Sequence, residues 1–160
     1  MSVISTPEEF INSFTGAVVD RDFAAAEAML GPWLRADLPV GGLKKMLRKA
    51  LGTAPPPYEA DPPSLLPHNT PASLRESVAG HAAENGPRTL ANYDGESAMF
   101  GPPSFPIAAE ITDANYSGTF RVELVPDPDL EAEVDFSYAL FLVVVELDGG
   151  LAIGYLEPAE

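Results

Sequence analysis

Near its C-terminus the chain reads Val134-Asp135-Phe136-Ser137-Tyr138-Ala139-Leu140-Phe141-Leu142-Val143-Val144-Val145-Glu146-Leu147, then Asp148-Gly149-Gly150, then Leu151-Ala152-Ile153-Gly154-Tyr155-Leu156-Glu157. Two runs rich in β-branched and aromatic residues that flank a Gly-rich turn are typical of a β-hairpin. We therefore predict two antiparallel strands here and expect the rest of the domain to pack around them.

The two faces of this hairpin differ along its length, because successive side chains of a strand alternate sides. From Ala139 to Val145 both faces are apolar, which is typical of a central strand covered by helices or by a second subunit. In the return strand Leu151, Ile153 and Tyr155 are predicted to share one face. Gly154 lies between them, and a missing side chain in a strand often marks a β-bulge or the close approach of another group.

Length and composition limit the possible classes of protein. The chain has 160 residues, which predicts one domain that can bury a core without disulfides or metals. It has no cysteine, so disulfides and thiolate metal sites are excluded. The sequence begins without a basic segment followed by an apolar run, and no run is long enough to span a bilayer. We therefore expect a cytoplasmic protein that does not enter a membrane.

The formal net charge is −15 and is unevenly distributed. Residues 1–50 contain six cations and six acids, whereas residues 51–160 contain three cations and eighteen acids. Such a surface repels phosphates, so binding to nucleic acid or to an anionic membrane is disfavoured. A cationic partner would be attracted, although a large net charge also serves solubility alone.

Three helices are predicted in the first third of the chain. Thr6-Pro7-Glu8-Glu9 combines a capping residue, a proline suited to the first turn and a capping-box glutamate. A second helix is expected to start after Asp22 and to end at Gly31-Pro32. Trp33 then lies in a connecting segment, either packed in the core with its N–H on a carbonyl or forming a wall of a ligand pocket. The third helix is predicted over residues 42–51.

The middle of the chain is dominated by proline. Residues 53–71 contain seven prolines, so we expect extended, irregular backbone without regular elements. Thr70-Pro71 is predicted to start a short helix that ends near Ala83. Residues 53–103 are interpreted as an irregular insertion that contains this helix.

Alternating apolar residues predict further strands after the insertion. Residues 105–111 and 120–125 show this alternation, and with the hairpin they suggest four strands in an antiparallel meander. The predicted fold class is α+β: one domain over residues 1–160, with N-terminal helices in 1–52, the Pro-rich insertion in 53–103 and a strongly bent antiparallel sheet in 104–160.

Residues that could perform catalysis are few. His81 and Glu84 are three residues apart on the predicted helix, but two ligands do not make a metal site, and His68 lies among prolines. No phosphate-binding loop, nucleophile elbow or zinc-protease motif is present. We therefore predict no cofactor and no metal.

Carboxylates and tyrosines of the predicted strands supply the remaining candidate site. Asp135 and Glu146 flank the apolar centre of one strand, and either could act as an acid or base if it pointed into a closed pocket, with Tyr138 as a hydroxyl partner. More often such residues lie at the wet ends of a strand. The residues predicted to line such a pocket are Trp33, Tyr116, Tyr138 and Tyr155.

Two charged groups could mediate docking to another protein. One is the basic face of the predicted third helix, and the other is an acidic run before the hairpin; both could equally be solvated surface. These candidate interaction residues are Lys44, Lys45, Arg48 and Lys49 on the helix, and Asp127, Asp129, Glu131 and Glu133 in the acidic run.

The order of elements resembles that of the nuclear transport factor 2-like, or cystatin-like, superfamily. The likeness rests on amphipathic helices before long antiparallel strands, on the Asp22-Phe23-Ala24-Ala25-Ala26 helix start and on the closing strand–Asp-Gly-Gly–strand unit. It covers about residues 6–51 and 104–157, and the Pro-rich middle departs from it. The resemblance implies a bent sheet that wraps around the helices to form an apolar cavity. Its enzymes place His and Asp in that cavity, and no His lies in a predicted strand here.

These observations rank three classes of function. The first is a small, acidic, soluble, non-catalytic binding or protein-interaction module, expected to form a homodimer through its apolar sheet. The second is a pocket enzyme of the lyase or isomerase type that uses Asp135 or Glu146 with a tyrosine. The third is an acidic inhibitor or immunity-type protein that masks a basic partner. Fold alone does not choose among them.

Overall fold

A computed structural model of the chain describes residues 6–20, 22–37, 58–60, 62–85, 107–126 and 138–159. These residues form helices and an antiparallel β-sheet, so the predicted α+β class is confirmed. In chain order the elements are α1 (Pro7–Val19), α2 (Phe23–Ala28), α3 (Pro32–Asp37), β1 (Tyr58–Ala60), β2 (Ser64–Leu65), α4 (Pro71–Asn85), β3 (Tyr116–Pro126), β4 (Tyr138–Leu147) and β5 (Gly150–Ala159).

The predicted hairpin is present as β4 and β5, which pair antiparallel along their lengths. Leu147 is opposite Gly150, so the turn has two residues, Asp148 and Gly149, and both have positive φ angles of 51° and 81°. Two consecutive left-handed residues form the turn whose twist matches that of the flanking strands. The Asp-Gly pair thus determines where the hairpin reverses.

The sheet has the strand order β1-β3-β4-β5, and β2 also pairs with β3. The expectation that the Pro-rich segment holds no regular element is wrong, because β1 and β2 lie within it. Each is only two or three residues long, and Pro62 and Pro63 fall between them. Prolines are tolerated at the outer edge of a sheet, where a strand needs partners on one side only.

The first two helices begin where the sequence predicts. The Thr6 hydroxyl accepts the N–H of Glu9 at 3.2 Å at the start of α1, and Asp22 accepts the N–H of Ala25 at 3.2 Å at the start of α2. Trp33, however, does not lie in a connecting segment. Pro32 starts α3, because its fixed φ suits a first helical position. The expectation that α2 ends at Gly31-Pro32 is also wrong, because α2 ends earlier, at Ala28.

Side chains on both faces of β3, β4 and β5 are buried within a single chain. We call face A the side that carries the even-numbered residues of β4 and face B the side that carries its odd-numbered residues. The buried residues of face A are Phe120, Val122, Leu140, Leu142, Val144, Ile153 and Leu156; those of face B are Thr119, Phe141, Val143, Val145, Tyr155 and Glu157. The apolar residues of both faces share one core with Ile11, Phe14 and Val18 of α1.

This burial bears on the expected homodimer. That expectation rested on an apolar face of β4 that one chain could not cover. Residues 140–145 are each at most 7% exposed in the single chain, so they offer no such surface. A homodimer stays a prediction without this support.

The strand predicted over residues 105–111 is wrong for its described part. Residues 107–115 form turns, in which Ile111 donates its N–H to the carbonyl of Ala108 at 3.0 Å. Ile107 and Ile111 are nevertheless buried, four residues apart rather than two. Arg75 of α4 holds this segment by donating Nη2 to the carbonyls of Ala108 and Ile111, at 2.8 and 2.6 Å. The apolar alternation here therefore marks two buried isoleucines and not a strand.

Other predictions fall outside the described residues. They include the third helix over residues 42–51 and the start of the hairpin at residues 134–137. The predicted helix after Thr70 is confirmed as α4 and runs two residues further than expected, to Asn85. Among the helices that the structure describes, none combines the length and the apolarity needed to cross a bilayer.

Candidate functional site

The most unusual polar feature of the described core is a tyrosine–glutamate pair on face B of β5. Tyr155 donates its hydroxyl to Oε1 of Glu157 at 2.8 Å. Tyr155 is 2% exposed and Glu157 is 1% exposed. Glutamate is rarely buried so completely unless it is paired. A carboxyl group held by a phenol inside the domain is therefore the first candidate for a functional group.

A β-bulge at Gly154 places this pair on face B. Tyr155 is opposite Val143 and Ile153 is opposite Val144, so Gly154 is the extra residue of the strand. Tyr155 and Ile153 consequently lie on opposite faces, and the prediction that they share one face is wrong. The expectation that Gly154 marks a bulge or the close approach of another group is confirmed, and both occur. A Cβ at this position would lie 3.0 Å from Cγ1 of Val145 and 3.2 Å from Cδ1 of Ile111.

One aromatic ring, that of Phe141, packs against the pair. The rings of Phe141 and Tyr155 meet edge to face, with centroids 6.1 Å apart and planes at 90°. Phe141 is also opposite Glu157 across the β4–β5 ladder. Such a carboxyl could transfer a proton to a bound molecule that reached it, with the tyrosine hydroxyl orienting one of its oxygens. The same geometry also serves a purely internal role, in which two polar groups satisfy each other inside the core.

Tyr116 belongs to a second polar cluster on face B. Its hydroxyl donates to the carbonyl of Asn69 at 3.0 Å and is hydrogen-bonded to the hydroxyl of Thr119. Since a phenol has one proton, Thr119 donates in that second bond. Burial raises the pKa of Tyr116 above its usual value of 10.0, and the bond with Thr119 opposes this in part. The cluster ties the segment before α4 to β3.

Trp33 lies at the outer edge of β5. Its indole N–H donates to the carbonyl of Gly154 at 2.9 Å, and its ring packs against the core. This is the arrangement expected for a core tryptophan with its N–H on a nearby carbonyl. Thus Trp33 and Tyr155 both reach the bulge, whereas Tyr116 lies on β3.

Glu146 is exposed, so it does not point into a closed pocket. Asp135 lies outside the described residues, and Tyr138 begins β4 opposite Leu124. The catalytic constellation proposed from sequence is therefore not assembled among the described residues. The buried carboxylate of the described part of the chain is instead Glu157.

Glu146 belongs to a group of exposed acids that we call the acidic end. The Asn115 carbonyl accepts the N–H of Glu146 at 2.8 Å, and the Asn115 side chain donates to the Glu110 carbonyl at 2.7 Å. These bonds bring the turn at residues 110–115 to the end of β4 and to the hairpin turn. The four exposed acids of this end are Glu110, Asp113, Glu146 and Asp148.

The remaining candidates from the sequence give no further site. His68 is exposed, and no cluster of His, Asp and Glu suited to a metal occurs among the described residues. The charged groups proposed for docking lie outside the described residues: Lys44, Lys45, Arg48 and Lys49, and Asp127, Asp129, Glu131 and Glu133.

Sequence reasoning did not single out Glu157 or Thr119 as buried polar residues. The signal that could have found Glu157 is Gly154, because a bulge there shifts every later side chain of β5 to the opposite face. Comparisons with protein-family models, with curated proteins and with solved structures find no match. The resemblance to the nuclear transport factor 2-like superfamily therefore stays a prediction.

Proposed function

We propose that this chain is a non-catalytic interaction module that binds a cationic protein partner. The observation that supports this proposal best is the acidic end, with its four exposed carboxylates. Two of them belong to the turn before β3 and two to the β4–β5 hairpin, so elements from different parts of the chain converge on one surface.

Hydrogen bonds of the Asn115 side chain hold the turn that carries Glu110 and Asp113. The side-chain carbonyl of Asn115 accepts the N–H of Thr112 at 2.9 Å, while its amide donates to Glu110. The neighbouring Arg75 is half-buried and directs its guanidinium to two backbone carbonyls. The four acids outnumber this one cation, so the acidic end is net negative.

A surface of this kind acts mainly on the rate of association. Several like charges on one patch steer an oppositely charged protein into encounter, and the rate falls as salt screens the field. With a Debye length of about 10 Å at 0.1 M salt, charges on one patch act together on an approaching partner. The net charge of −15 adds a field of the same sign at longer range.

The test compares two variants that differ only in where charge is removed. The first replaces Glu110, Asp113, Glu146 and Asp148 by Gln or Asn. The control removes four exposed acids elsewhere in the described part of the chain: Glu8, Asp20, Glu76 and Glu84. Both variants lose four negative charges, so a general effect of net charge is the same in each.

Association is measured by stopped flow at low and high salt. The partner is first captured by covalent cross-linking in extracts of the source organism. We expect the acidic-end variant to associate at least about tenfold more slowly at low salt, and the control to stay close to wild type. Equal rates for the two variants would refute the role of the acidic end.

An inhibitor or immunity-type protein would use the same acidic end, with a higher affinity for its partner. In that case the captured partner would be a basic enzyme or toxin, and stoichiometric addition of the chain would abolish its activity. Binding without loss of the partner's activity would leave the interaction module and exclude the inhibitor.

The buried Tyr155–Glu157 pair favours the second class, a pocket enzyme of the lyase or isomerase type. In this alternative Glu157 replaces Asp135 and Glu146 as the acid or base, and Tyr155 orients it. A thermal-shift screen of small carbonyl compounds with wild type and with Glu157→Gln tests it. A compound that stabilises both proteins equally does not use this carboxyl and counts against the enzyme.

Family, assembly and compartment complete the proposal. Helices that precede an antiparallel sheet support membership in the nuclear transport factor 2-like superfamily, and we propose a homodimer and a cytoplasmic location as well. Sedimentation velocity tests the homodimer, because a 17.0 kDa species at micromolar concentration would rule it out.

A further inference from the structure

The outer edge of β5 is covered where the strand bulges. Ile153 donates its N–H to the Met29 carbonyl at 2.9 Å and accepts the Gly31 N–H at 2.8 Å. Leu30 pairs with Ile153 in parallel orientation. The Trp33 indole N–H then donates to the Gly154 carbonyl at 2.9 Å. Two consecutive residues of β5 thus direct three backbone groups outward, and Met29, Gly31 and Trp33 satisfy all of them.

We call Met29–Gly31 together with Trp33 the latch. Its fit depends on close approach at Gly31, which is buried. A Cβ on Gly31 would lie 3.0 Å from Cζ2 of the Trp33 ring and 3.3 Å from the Ile153 carbonyl oxygen. Pro32 follows at once and starts α3, so the direction of the latch is fixed by the next helix. Glycine is required here because the backbone and the indole ring meet the strand together.

We propose that the latch guards the edge of β5 against pairing with a second copy of this chain. An uncovered strand edge presents unpaired N–H and C=O groups and is a template for another strand. The parallel bridge to Leu30 shows that backbone from another segment can pair with this edge. Opening the latch leaves the outward groups of Ile153 and Gly154 without protein partners, and the β5 strand of a second copy can supply them.

The strand that pairs with the opened edge of β5 comes from a second copy of this chain and not from an unrelated peptide, for a physical reason. Opening the latch exposes the same edge on every molecule, and β5 is itself a long strand of ten residues. Two such edges can pair with each other without any other partner, which makes association dependent on the concentration of this chain alone. The guard is independent of the acidic end, because no acidic-end residue takes part in the latch.

Two variants weaken the latch in different ways. Trp33→Phe keeps an aromatic ring and removes the indole donor. Gly31→Ala adds a methyl group that must displace the ring or the strand. Gly16→Ala is the matched control, because Gly16 is exposed in α1 and a Cβ there meets nothing within 4 Å.

Two measurements are made on each variant. Amide hydrogen exchange at Ile153 reports whether the latch opens, and loss of one hydrogen bond corresponds to an increase of about fivefold in exchange rate. Sedimentation velocity over a range of concentrations reports self-association. We expect Trp33→Phe and Gly31→Ala to exchange faster at Ile153 and to form species of higher mass than wild type as concentration rises. Gly16→Ala should match wild type in both.

Faster exchange with a mass equal to that of wild type at every concentration would overturn the proposal, and so would unchanged exchange. Circular dichroism identifies a variant that fails to fold, in which case the other variant decides. Wild-type protein warmed to just below its unfolding transition gives the same test without substitution. There, faster exchange at Ile153 must be accompanied by self-association.

Discussion

Leu142→Ala is the substitution that tests most directly how the core is built. Leu142 is fully buried on face A, opposite Phe120 of β3 and Leu156 of β5, which are themselves buried. Replacing it by alanine removes three carbons, worth about 2.4 kcal/mol at about 0.8 kcal/mol each. Hydrogen-bonded strands on both sides limit collapse into the space, so a cavity cost adds to this. We expect a total loss of about 3–5 kcal/mol.

Leu65→Ala is the matched control for that substitution. Leu65 lies in β2 and is 52% exposed, so the same chemical change should cost less than about 1 kcal/mol. Urea unfolding followed by circular dichroism gives both free energies under the same conditions. The reasoning fails if Leu142→Ala costs no more than Leu65→Ala, because β4 would then not be the centre of the core.

Three further predictions concern buried polar groups and glycines. Tyr155→Phe removes the hydroxyl that donates to Glu157, so the free energy of unfolding should fall by about 1–3 kcal/mol; no change would mean that the pair is not formed. Gly154→Ala should destabilise by about 1–3 kcal/mol because its Cβ would lie 3.0 Å from Cγ1 of Val145, whereas Gly80→Ala, in open space on α4, should stabilise by about 0.5–1 kcal/mol; equal effects in urea unfolding would contradict this. The raised pKa of Tyr116 means that the folded state holds this proton more tightly, so its contribution is complete below about pH 10 and is lost as the pH rises through the folded pKa. The difference in stability between wild type and Tyr116→Phe should therefore shrink above pH 10, and a constant difference would exclude the linkage.

Local signals in the sequence predicted the parts of the fold that depend on few neighbours. Thr6 and Asp22 cap helices because a hydroxyl or carboxylate can bond to the N–H groups three residues later. Asp148-Gly149 reverses the hairpin because both residues tolerate positive φ. In each case the chemistry and its consequence lie within four residues of each other.

Pairing between distant residues was not visible in the same way. β1 and β2 form because β3 offers an outer edge, and nothing in the Pro-rich segment itself indicates this partner. Ile107 and Ile111 show the alternation of a strand, yet the turns between them present both to the core. Tertiary contacts override local preference at these positions.

The candidate site was missed for a related reason. The alternation of side chains assigns each strand residue to a face only where no extra residue interrupts the strand. Glu157 would share the face of Ile153 in a regular strand, and the extra residue at Gly154 moves it to face B beside Phe141. The sequence marks Gly154 as unusual, but only the register with β4 shows which side chains change sides.

The bulge also has a consequence for how the length of this strand can vary. Without Gly154, Ile153 and Tyr155 would be consecutive residues of a regular strand, still opposite Val144 and Val143. A chain that lacked this one residue would thus keep every side chain of β5 on its present face, and would lose the carbonyl that Trp33 binds. Divergent homologues could therefore gain or lose a residue in the middle of this hairpin without moving a core side chain to the other face. An alignment of such sequences should accept a one-residue gap at position 154, in a region where gaps are usually penalised most heavily.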